Sequence, residues 1–215
     1  MQAAIFDLDG TILDSIPFWS IALPEFFKKI GFDYYEELAN IRHLNVKESC
    51  EYLVNTYNLD ISAEELKSTF DAELKIQYGE KLQMKENAID VLKTLKNRDT
   101  KMCLATATES PFAELVVDRF DLWKYFEFVH TGNMGDYNKN QIEYFYYLSE
   151  KMDSEPKRCT VFEDSLHCIE TAKKAGMRVV AFTKDTHTDT IDRIKEISDI
   201  VTPSIKDLDL NLLYR

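Results

Sequence analysis

Short apolar runs alternate along the chain with longer segments in which apolar residues recur every three or four positions. The runs cover residues 3–6, 101–105, 126–130, 159–162 and 178–182, with a weaker one at 199–201. Runs that are apolar at nearly every position are typical of parallel strands buried on both faces. With helical segments between them, the pattern predicts an α/β fold with a doubly wound parallel sheet and a Rossmann-like core.

Several helices of this core have recognisable ends. Ser110 followed by Pro111 predicts a helix start, with the serine as N-cap and the proline at the first helical position. A helix is also predicted over 88–96, and a long aromatic-rich one over 138–152. The helix predicted over 165–175 is followed by Gly176, where we expect a left-handed residue that ends it.

The alternation breaks between the first two strands, where the chain shows helical patterns and no strand pattern. The helices predicted in this gap cover 17–30, 34–42, 46–57 and 62–78. The last of them begins at a capping box formed by Ser62 and Glu65. We therefore predict an inserted α-helical cap domain over 15–82, with 1–14 and 83–215 forming the α/β core domain. An insertion beside the carboxyl edge of a sheet can act as a lid.

The chain is acidic: its 215 residues include 26 Lys and Arg against 38 Asp and Glu, a formal net charge of −12. Without a basic patch to neutralise phosphates, neither a nucleic acid nor an anionic membrane is expected as the main partner. A small phosphorylated substrate is compatible, provided that local cations from the protein or a metal hold it. Hydrophobic residues make up 45% of the chain, enough for a packed core. We expect a monomer.

The cysteines and the amino-terminal segment indicate the compartment. Cys50, Cys103, Cys159 and Cys168 form no Cys-x-x-Cys pair, which argues against a zinc site, and Cys103 and Cys159 lie in apolar runs, where buried free thiols are expected. The first residues lack the pattern of a secretory signal, and no stretch approaches the ~18 apolar residues of a membrane span. The sequence therefore predicts a cytoplasmic protein.

Two carboxylates follow the first predicted strand in the segment Asp7-Leu8-Asp9-Gly10. If the strand geometry persists, Asp7 and Asp9 point the same way, because side chains alternate with a period of two. Two like charges this close repel each other, and a divalent cation is the simplest compensation. The alternative is a polar Asp-Gly turn without chemistry.

Polar side chains also follow other predicted strands. Glu163 and Asp164 end the fourth strand, Thr106 follows the second, and Lys139 precedes the aromatic-rich helix. Taken singly, Asp164 can be a helix N-cap, Thr106 an ordinary strand-end residue and Lys139 a solvated lysine. Because the carboxyl ends of parallel strands meet in one crevice, we expect these side chains to come together.

With Asp7 and Asp9, this set supplies a carboxylate nucleophile, a second carboxylate for proton transfer, a metal-holding acid, a hydroxyl donor and a cation. Such a set fits phosphoryl transfer through an acyl-phosphate, because a carboxylate is a competent covalent nucleophile. Mg²⁺ prefers oxygen ligands and binds phosphate oxygens, which makes it the expected cofactor.

These motifs resemble those of the haloacid dehalogenase-like hydrolases, in the subgroup with a helical cap that includes β-phosphoglucomutase and many sugar-phosphate phosphatases. The resemblance covers essentially the whole chain. The first, second and fourth motifs of the family are matched by Asp7-Leu8-Asp9-Gly10-Thr11, by Thr106, and by Glu163-Asp164-Ser165 with Ala175-Gly176-Met177.

The resemblance implies a role for each acid. Asp7 would be the nucleophile and Asp9 the general acid/base. Mg²⁺ would be held by Asp7, the carbonyl of Asp9 and Asp164, with Glu163 assisting through water.

The resemblance also implies that Thr106 and Lys139 bind the transferring phosphate. The third motif departs from the usual Lys-Pro-x-Pro-Asp, because Asn140 and Gln141 follow Lys139 here, so the loop after the lysine can differ. In the fourth motif, Cys168 replaces a common glycine, which affects helix packing.

The sequence thus predicts a magnesium-dependent phosphatase that hydrolyses a small phosphorylated metabolite, such as a sugar phosphate. A sugar-phosphate mutase is the first alternative, disfavoured because Trp19 stands where β-phosphoglucomutases carry a cap histidine. A non-catalytic phosphate-binding regulator is the second. Substrate selection is expected from the cap residues Trp19, Arg42 and Lys47.

Overall fold

A computed structural model describes residues 2–29, 46–132, 134–186 and 188–214 of the chain. The chain divides into two compact units, one formed by Met1–Asp14 with Leu82–Arg215 and the other by Ser15–Lys81. The first unit carries a β-sheet, and the regular structure described in the second unit is helical.

The strands described in the first unit form one sheet in which all neighbours are parallel. These strands are β1 (Ala3–Phe6), β2 (Lys101–Ala105), β3 (Phe128–His130), β4 (Cys159–Glu163), β5 (Arg178–Phe182) and β6 (Ile200–Thr202). Their order in the sheet is β3-β2-β1-β4-β5-β6. The chain thus winds outward from β1 to one edge and then from β4 to the other. The predicted doubly wound parallel sheet is confirmed.

Helices make up the remaining regular structure of the described residues. The α-helices are α1 (Leu23–Lys29), α2 (Val46–Tyr57), α3 (Ala63–Ile76), α4 (Ala88–Lys96), α5 (Ser110–Arg119), α6 (Ile142–Lys151), α7 (Leu166–Lys174) and α8 (Ile191–Ile197). Phe18–Ala22 and Gln77–Lys81 are π-helical, and Leu122–Lys124, Pro156–Arg158, Ile205–Asp207 and Leu210–Tyr214 are 3₁₀-helical.

Both faces of the sheet are buried, which explains why its strands are apolar at nearly every position. On one face, Ile5 and Val161 belong to a core cluster with Phe145 of α6. On the other face, Phe6 stacks on Phe162 with ring centroids 4.2 Å apart. The sheet is therefore a rigid platform for residues that follow its strands.

Several predicted elements begin or end at other residues in the structure. β3 begins at Phe128, two residues later than predicted, and β4 extends one residue further, through Glu163. The predicted N-cap role of Ser110 is wrong, because Ser110 is the first helical residue of α5 and Glu109 takes the N-cap position. The Ser110 hydroxyl instead shares a hydrogen bond of 2.7 Å with the hydroxyl of Thr131.

The aromatic-rich helix α6 begins at Ile142, four residues after the predicted start, because polar side chains hold the preceding residues in a loop. The Asn140 backbone N–H donates to Asn138 Oδ1 at 3.0 Å, and the Asn138 N–H donates to Gln141 Oε1 at 2.9 Å. Gly176 follows α7 with a φ of +78°, the left-handed conformation that the sequence predicts there.

In the second unit, the predicted capping box starts α3. The Glu65 backbone N–H donates to Ser62 Oγ at 3.1 Å, and the Ser62 N–H donates to Glu65 Oε2 at 2.7 Å. Leu66 and Leu74 form the buried face of the helix. The helix predicted over 34–42 lies outside the described residues.

All four cysteines are buried free thiols, which confirms the prediction for Cys103 and Cys159. Among the described residues, none of the helices combines the length and the apolar character that a membrane-crossing segment requires.

Candidate active site

The carboxyl ends of β1 and β4 bring Asp7 and Glu163 together. The two strands pair in register, with Phe6 beside Phe162, and the Asp7 backbone N–H donates to the Phe162 carbonyl oxygen at 3.0 Å. Asp7 therefore leaves the sheet beside Glu163, the last residue of β4. Open parallel sheets bind their ligands at this edge.

The two carboxylate oxygens of Asp7 have different surroundings. Oδ1 accepts a hydrogen bond from Lys139 Nζ at 2.5 Å. Oδ2 is buried and has no hydrogen-bond partner among the described residues. Burial raises the pKa of Asp7 well above its ordinary value, and the charge of Glu163 raises it further, while Lys139 opposes both. A buried carboxylate oxygen of this kind requires a donor or a cation.

Lys139 is buried between two acids. Its side chain is 10% exposed, and Nζ also donates to Glu163 Oε2 at 2.9 Å. Burial disfavours the charged form of the lysine, but the carboxylates of Asp7 and Glu163 outweigh it and raise the pKa of Lys139 well above its ordinary value. The explanation of Lys139 as a solvated lysine is therefore wrong.

Asp164 forms a group of three carboxylates with Asp7 and Glu163, whose nearest oxygens all lie within 4.8 Å of one another. Burial raises the pKa of Asp164 to about 8, with repulsion from Glu163 as the next cause. Ser165 occupies the N-cap position of α7, so Asp164 is not the cap. Three neighbouring carboxylates, of which only Asp7 and Glu163 contact the Lys139 ammonium group, and one unpaired oxygen of Asp7 fit a divalent cation such as Mg²⁺.

Asp9 has a different setting. β1 ends at Phe6, and a turn follows in which the Leu13 backbone N–H donates to the Leu8 carbonyl oxygen at 2.9 Å. The regular alternation of a strand therefore does not extend to Asp9. The Asp9 side chain is partly buried, and its Oδ2 accepts a hydrogen bond from the Thr108 hydroxyl at 2.6 Å.

Thr106 follows β2 and is buried. Its backbone N–H donates to the His130 carbonyl oxygen at 2.9 Å, and its hydroxyl accepts from the Thr108 N–H at 3.0 Å. One cavity of about 280 Å³ is lined by all the predicted core residues, namely Asp7, Asp9, Thr106, Lys139, Glu163 and Asp164. The structure thus brings these residues together.

Comparison with known proteins agrees with this geometry. The sequence model of the haloacid dehalogenase-like hydrolases matches residues 4–182. The chain belongs to this family.

The phosphorylated carbohydrates phosphatase of Thermotoga maritima is 30% identical to this hydrolase over 178 residues, 82% of each chain. The fructose-1-phosphate phosphatase YqaB of Escherichia coli is 27% identical and matches over 82% of this chain and 93% of its own. A solved structure, the "putative beta-phosphoglucomutase" from Thermotoga maritima, superposes with a TM-score of 0.76 at 26% identity and covers 94% of both chains. The haloacid dehalogenase-like hydrolase described here is a phosphatase, as the sequence predicts, and the alternative of a non-catalytic regulator falls away.

Two of the predicted substrate-selecting residues of the hydrolase lie in the described part of the second unit. The Trp19 indole N–H donates to the Tyr78 hydroxyl at 3.1 Å, and the indole ring packs edge-on against Phe70. Lys47 is exposed. Arg42 lies outside the described residues.

Thr108, which contacts Asp9, is not among the site residues that the sequence predicts. A signal was available, because Thr108 is a second hydroxyl two positions after Thr106 at the end of β2. Thr108 and Asp9 are 99 positions apart in the chain, however, so no local sequence pattern predicts their hydrogen bond.

Two further polar residues of the hydrolase line the cavity without a clear signal in the sequence. The Tyr144 hydroxyl is buried without a hydrogen-bond partner among the described residues, and burial raises the pKa of Tyr144. His167 Nδ1 lies 2.8 Å from the hydroxyl of Ser165. The neighbouring Tyr146 is exposed, and nothing in the aromatic run separates it from Tyr144.

Proposed function

We propose that this hydrolase is a magnesium-dependent phosphatase that hydrolyses a small phosphorylated metabolite, such as a sugar phosphate, through an aspartyl-phosphate on Asp7. The observation that carries the proposal is the setting of Asp7. One of its oxygens is held by Lys139, the other is buried and unpaired, and Glu163 and Asp164 stand beside it. The names of the two curated relatives, which refer to phosphorylated carbohydrates and to fructose 1-phosphate, support the substrate class.

The acids at the strand ends would hold the metal. Asp7 and Asp164 would contribute carboxylate oxygens, Asp9 its carbonyl, and Glu163 would assist through water. When bound, Mg²⁺ offsets the negative charge of the carboxylates and of the phosphate oxygens.

The residues of the chain supply the remaining chemistry. A carboxylate oxygen of Asp7 attacks phosphorus, the ester P–O bond breaks, and Asp9 gives its proton to the leaving oxygen. Asp9 then takes a proton from water as the water oxygen attacks the aspartyl-phosphate. The bond between phosphorus and Asp7 breaks, which releases inorganic phosphate and restores the carboxylate. Lys139 and Thr106 would bind the oxygens of the transferring phosphoryl group.

The test is a screen of phosphorylated metabolites with released inorganic phosphate as the readout, run with Mg²⁺ and again with EDTA. We expect turnover of one or more sugar phosphates with Mg²⁺ and none with EDTA. Asp7→Asn is the matched variant: it keeps the size of the side chain and removes the nucleophile, so activity should fall by at least ~10³-fold. Turnover that survives EDTA, or an Asp7→Asn enzyme above about a thousandth of the wild-type rate, would contradict the proposal.

A sugar-phosphate mutase is the second candidate, favoured by the similarity to the solved structure from Thermotoga maritima. It would return the phosphoryl group to the substrate rather than to water. Trp19 disfavours the mutase, because an indole has no acid/base function near neutral pH and its single N–H already donates to the Tyr78 hydroxyl.

A further inference from the structure

The hydrogen bond between Thr108 and Asp9 joins two parts of the chain that leave different strands. The Thr108 hydroxyl donates to Asp9 Oδ2 at 2.6 Å. This distance lies at the short end of the range for O–H···O hydrogen bonds, so the two side chains are in close contact. Asp9 lies beyond the regular part of β1, so the sheet itself does not fix its side chain.

Thr108, in contrast, is held firmly through its backbone. Its N–H donates to the Thr106 hydroxyl at 3.0 Å, and its carbonyl oxygen accepts from the Gly132 N–H at 3.0 Å. Gly132 lies so close that an added Cβ would stand 1.9 Å from the carbonyl oxygen of Ala107. The segment from Thr106 to Thr108 is therefore locked against the residues that follow β3.

We propose that Thr108 is a positioning residue for proton transfer, an inference that rests on the proposed role of Asp9 as general acid. Thr108 holds one carboxylate oxygen of Asp9 and so restricts the orientation from which the carboxyl group gives its proton to the leaving oxygen of the substrate. The χ2 torsion of an aspartate, which sets the orientation of its carboxylate, has a broad energy minimum. A hydrogen bond to one carboxylate oxygen restricts the range of χ2. Proton transfer requires heavy atoms within ~2.6–3.2 Å, so a loosely held carboxylate loses rate.

The same contacts link the acid to the phosphate-binding hydroxyl. Because the Thr106 hydroxyl accepts from the Thr108 N–H, its own proton can be donated to a phosphate oxygen. The three residues from Thr106 to Thr108 thus set the distance between a hydroxyl that binds the phosphoryl group and the carboxylate that protonates the leaving group.

The experiment compares two aryl phosphates of similar size, phenyl phosphate and 4-nitrophenyl phosphate, in the Mg²⁺-loaded full-length enzyme. Phenolate is a poor leaving group that needs a proton, whereas 4-nitrophenolate leaves with little help. We expect Thr108→Val to lower kcat/KM for phenyl phosphate by about tenfold or more, and for 4-nitrophenyl phosphate by less than about threefold, because general acid catalysis is worth roughly 10²–10⁴ in rate. Thr108→Ser keeps the hydroxyl and should restore both values. Thr108→Ala replaces the valine variant if that variant does not fold.

Three results would overturn the inference: equal losses with the two substrates, which a structural or phosphate-binding role would cause; no loss with either; or a serine variant that behaves like the valine variant. Asp9→Asn in the same assay separates this inference from the proposed function. If Asp9→Asn shows the steep dependence on leaving group and Thr108→Val does not, the positioning role alone fails. If Asp9→Asn shows no such dependence, the acid role of Asp9 fails and the positioning role fails with it.

Discussion

Lys139 Nζ and Asp7 Oδ1 form a buried ion pair of 2.5 Å between residues 132 positions apart in the chain. The same ammonium group contacts Glu163, so one cation pairs with two carboxylates at the ends of different strands. Removal of the partner of a buried charge lowers the stability of a protein far more than removal of the partner of an exposed charge, because water cannot solvate the buried charge that is left. Removal of Lys139 alone should therefore destabilise the protein, because it leaves Asp7 and Glu163 buried without their cation.

Lys139→Met should lower the free energy of unfolding of the metal-free protein by about 3–5 kcal/mol, the range for a buried ion pair that loses one partner. The measurement is urea unfolding in EDTA. Lys206→Met is the matched control, because Lys206 pairs with Glu86 at 3.2 Å on the surface, and loss of that pair should cost less than about 1 kcal/mol. Equal midpoints for the two variants would contradict the structural role of Lys139.

Asp164→Ala should raise the Mg²⁺ concentration needed for half-maximal activity by about tenfold or more. Bound Mg²⁺ keeps several water ligands and is held by few protein carboxylates, so the loss of one carboxylate lowers the affinity for Mg²⁺ strongly. The check is a Mg²⁺ titration of phosphatase activity, with Asp192→Ala as the control, since the Asp192 side chain is fully exposed. An unchanged titration in Asp164→Ala would reject this residue as a ligand.

Net hydrolysis should exceed isomerisation. A mutase must keep activated water from its aspartyl-phosphate until the correct substrate arrives, and Trp19 offers no acid/base group for that control. The protein is incubated with β-glucose 1-phosphate, Mg²⁺ and a bisphosphate primer, and both products are followed. Inorganic phosphate should appear faster than glucose 6-phosphate, and the reverse order would favour the mutase.

His130 should make stability depend on pH. It is 3% exposed, packs against the rings of Tyr144 and Tyr147, and has its pKa lowered by burial and by the charge of Lys151. The unfolded chain then binds a proton that the folded protein does not, so this contribution to stability is complete above a pH of about 6.5 and decreases as the pH falls below it.

The check on His130 is the difference between wild type and His130→Gln, which cancels the titration of the carboxylates elsewhere. Urea unfolding is measured from about pH 8 down to about pH 5. The wild type should lose more stability than the variant over the acid part of this range. Parallel curves would show that His130 does not titrate in the expected way.

The strands and the acids at their ends could be predicted because the information is local. A strand buried on both faces is apolar at nearly every position, so an acidic residue marks its carboxyl end: Asp7 directly follows β1, and Glu163 is the last residue of β4. The sequence could not predict that Lys139 is buried, because its partners are distant in the chain and the lysine stands alone in a polar loop. The late start of α6 has a similar cause, since Asn138 and Gln141 are compatible with either a helix or a loop until their side chains bind backbone groups.

The close approach of Gly132 to Ala107 has a consequence for attempts to re-engineer the substrate range. Any side chain at position 132 would displace the loop that carries Thr106 and Thr108, so a randomised library would lose those members before a new substrate was ever tried. Tyr137 lines the same cavity and is 44% exposed, which leaves room for exchange. A library randomised at position 137, with glycine kept at position 132, would change the lining of the cavity without displacing Thr106 and Thr108.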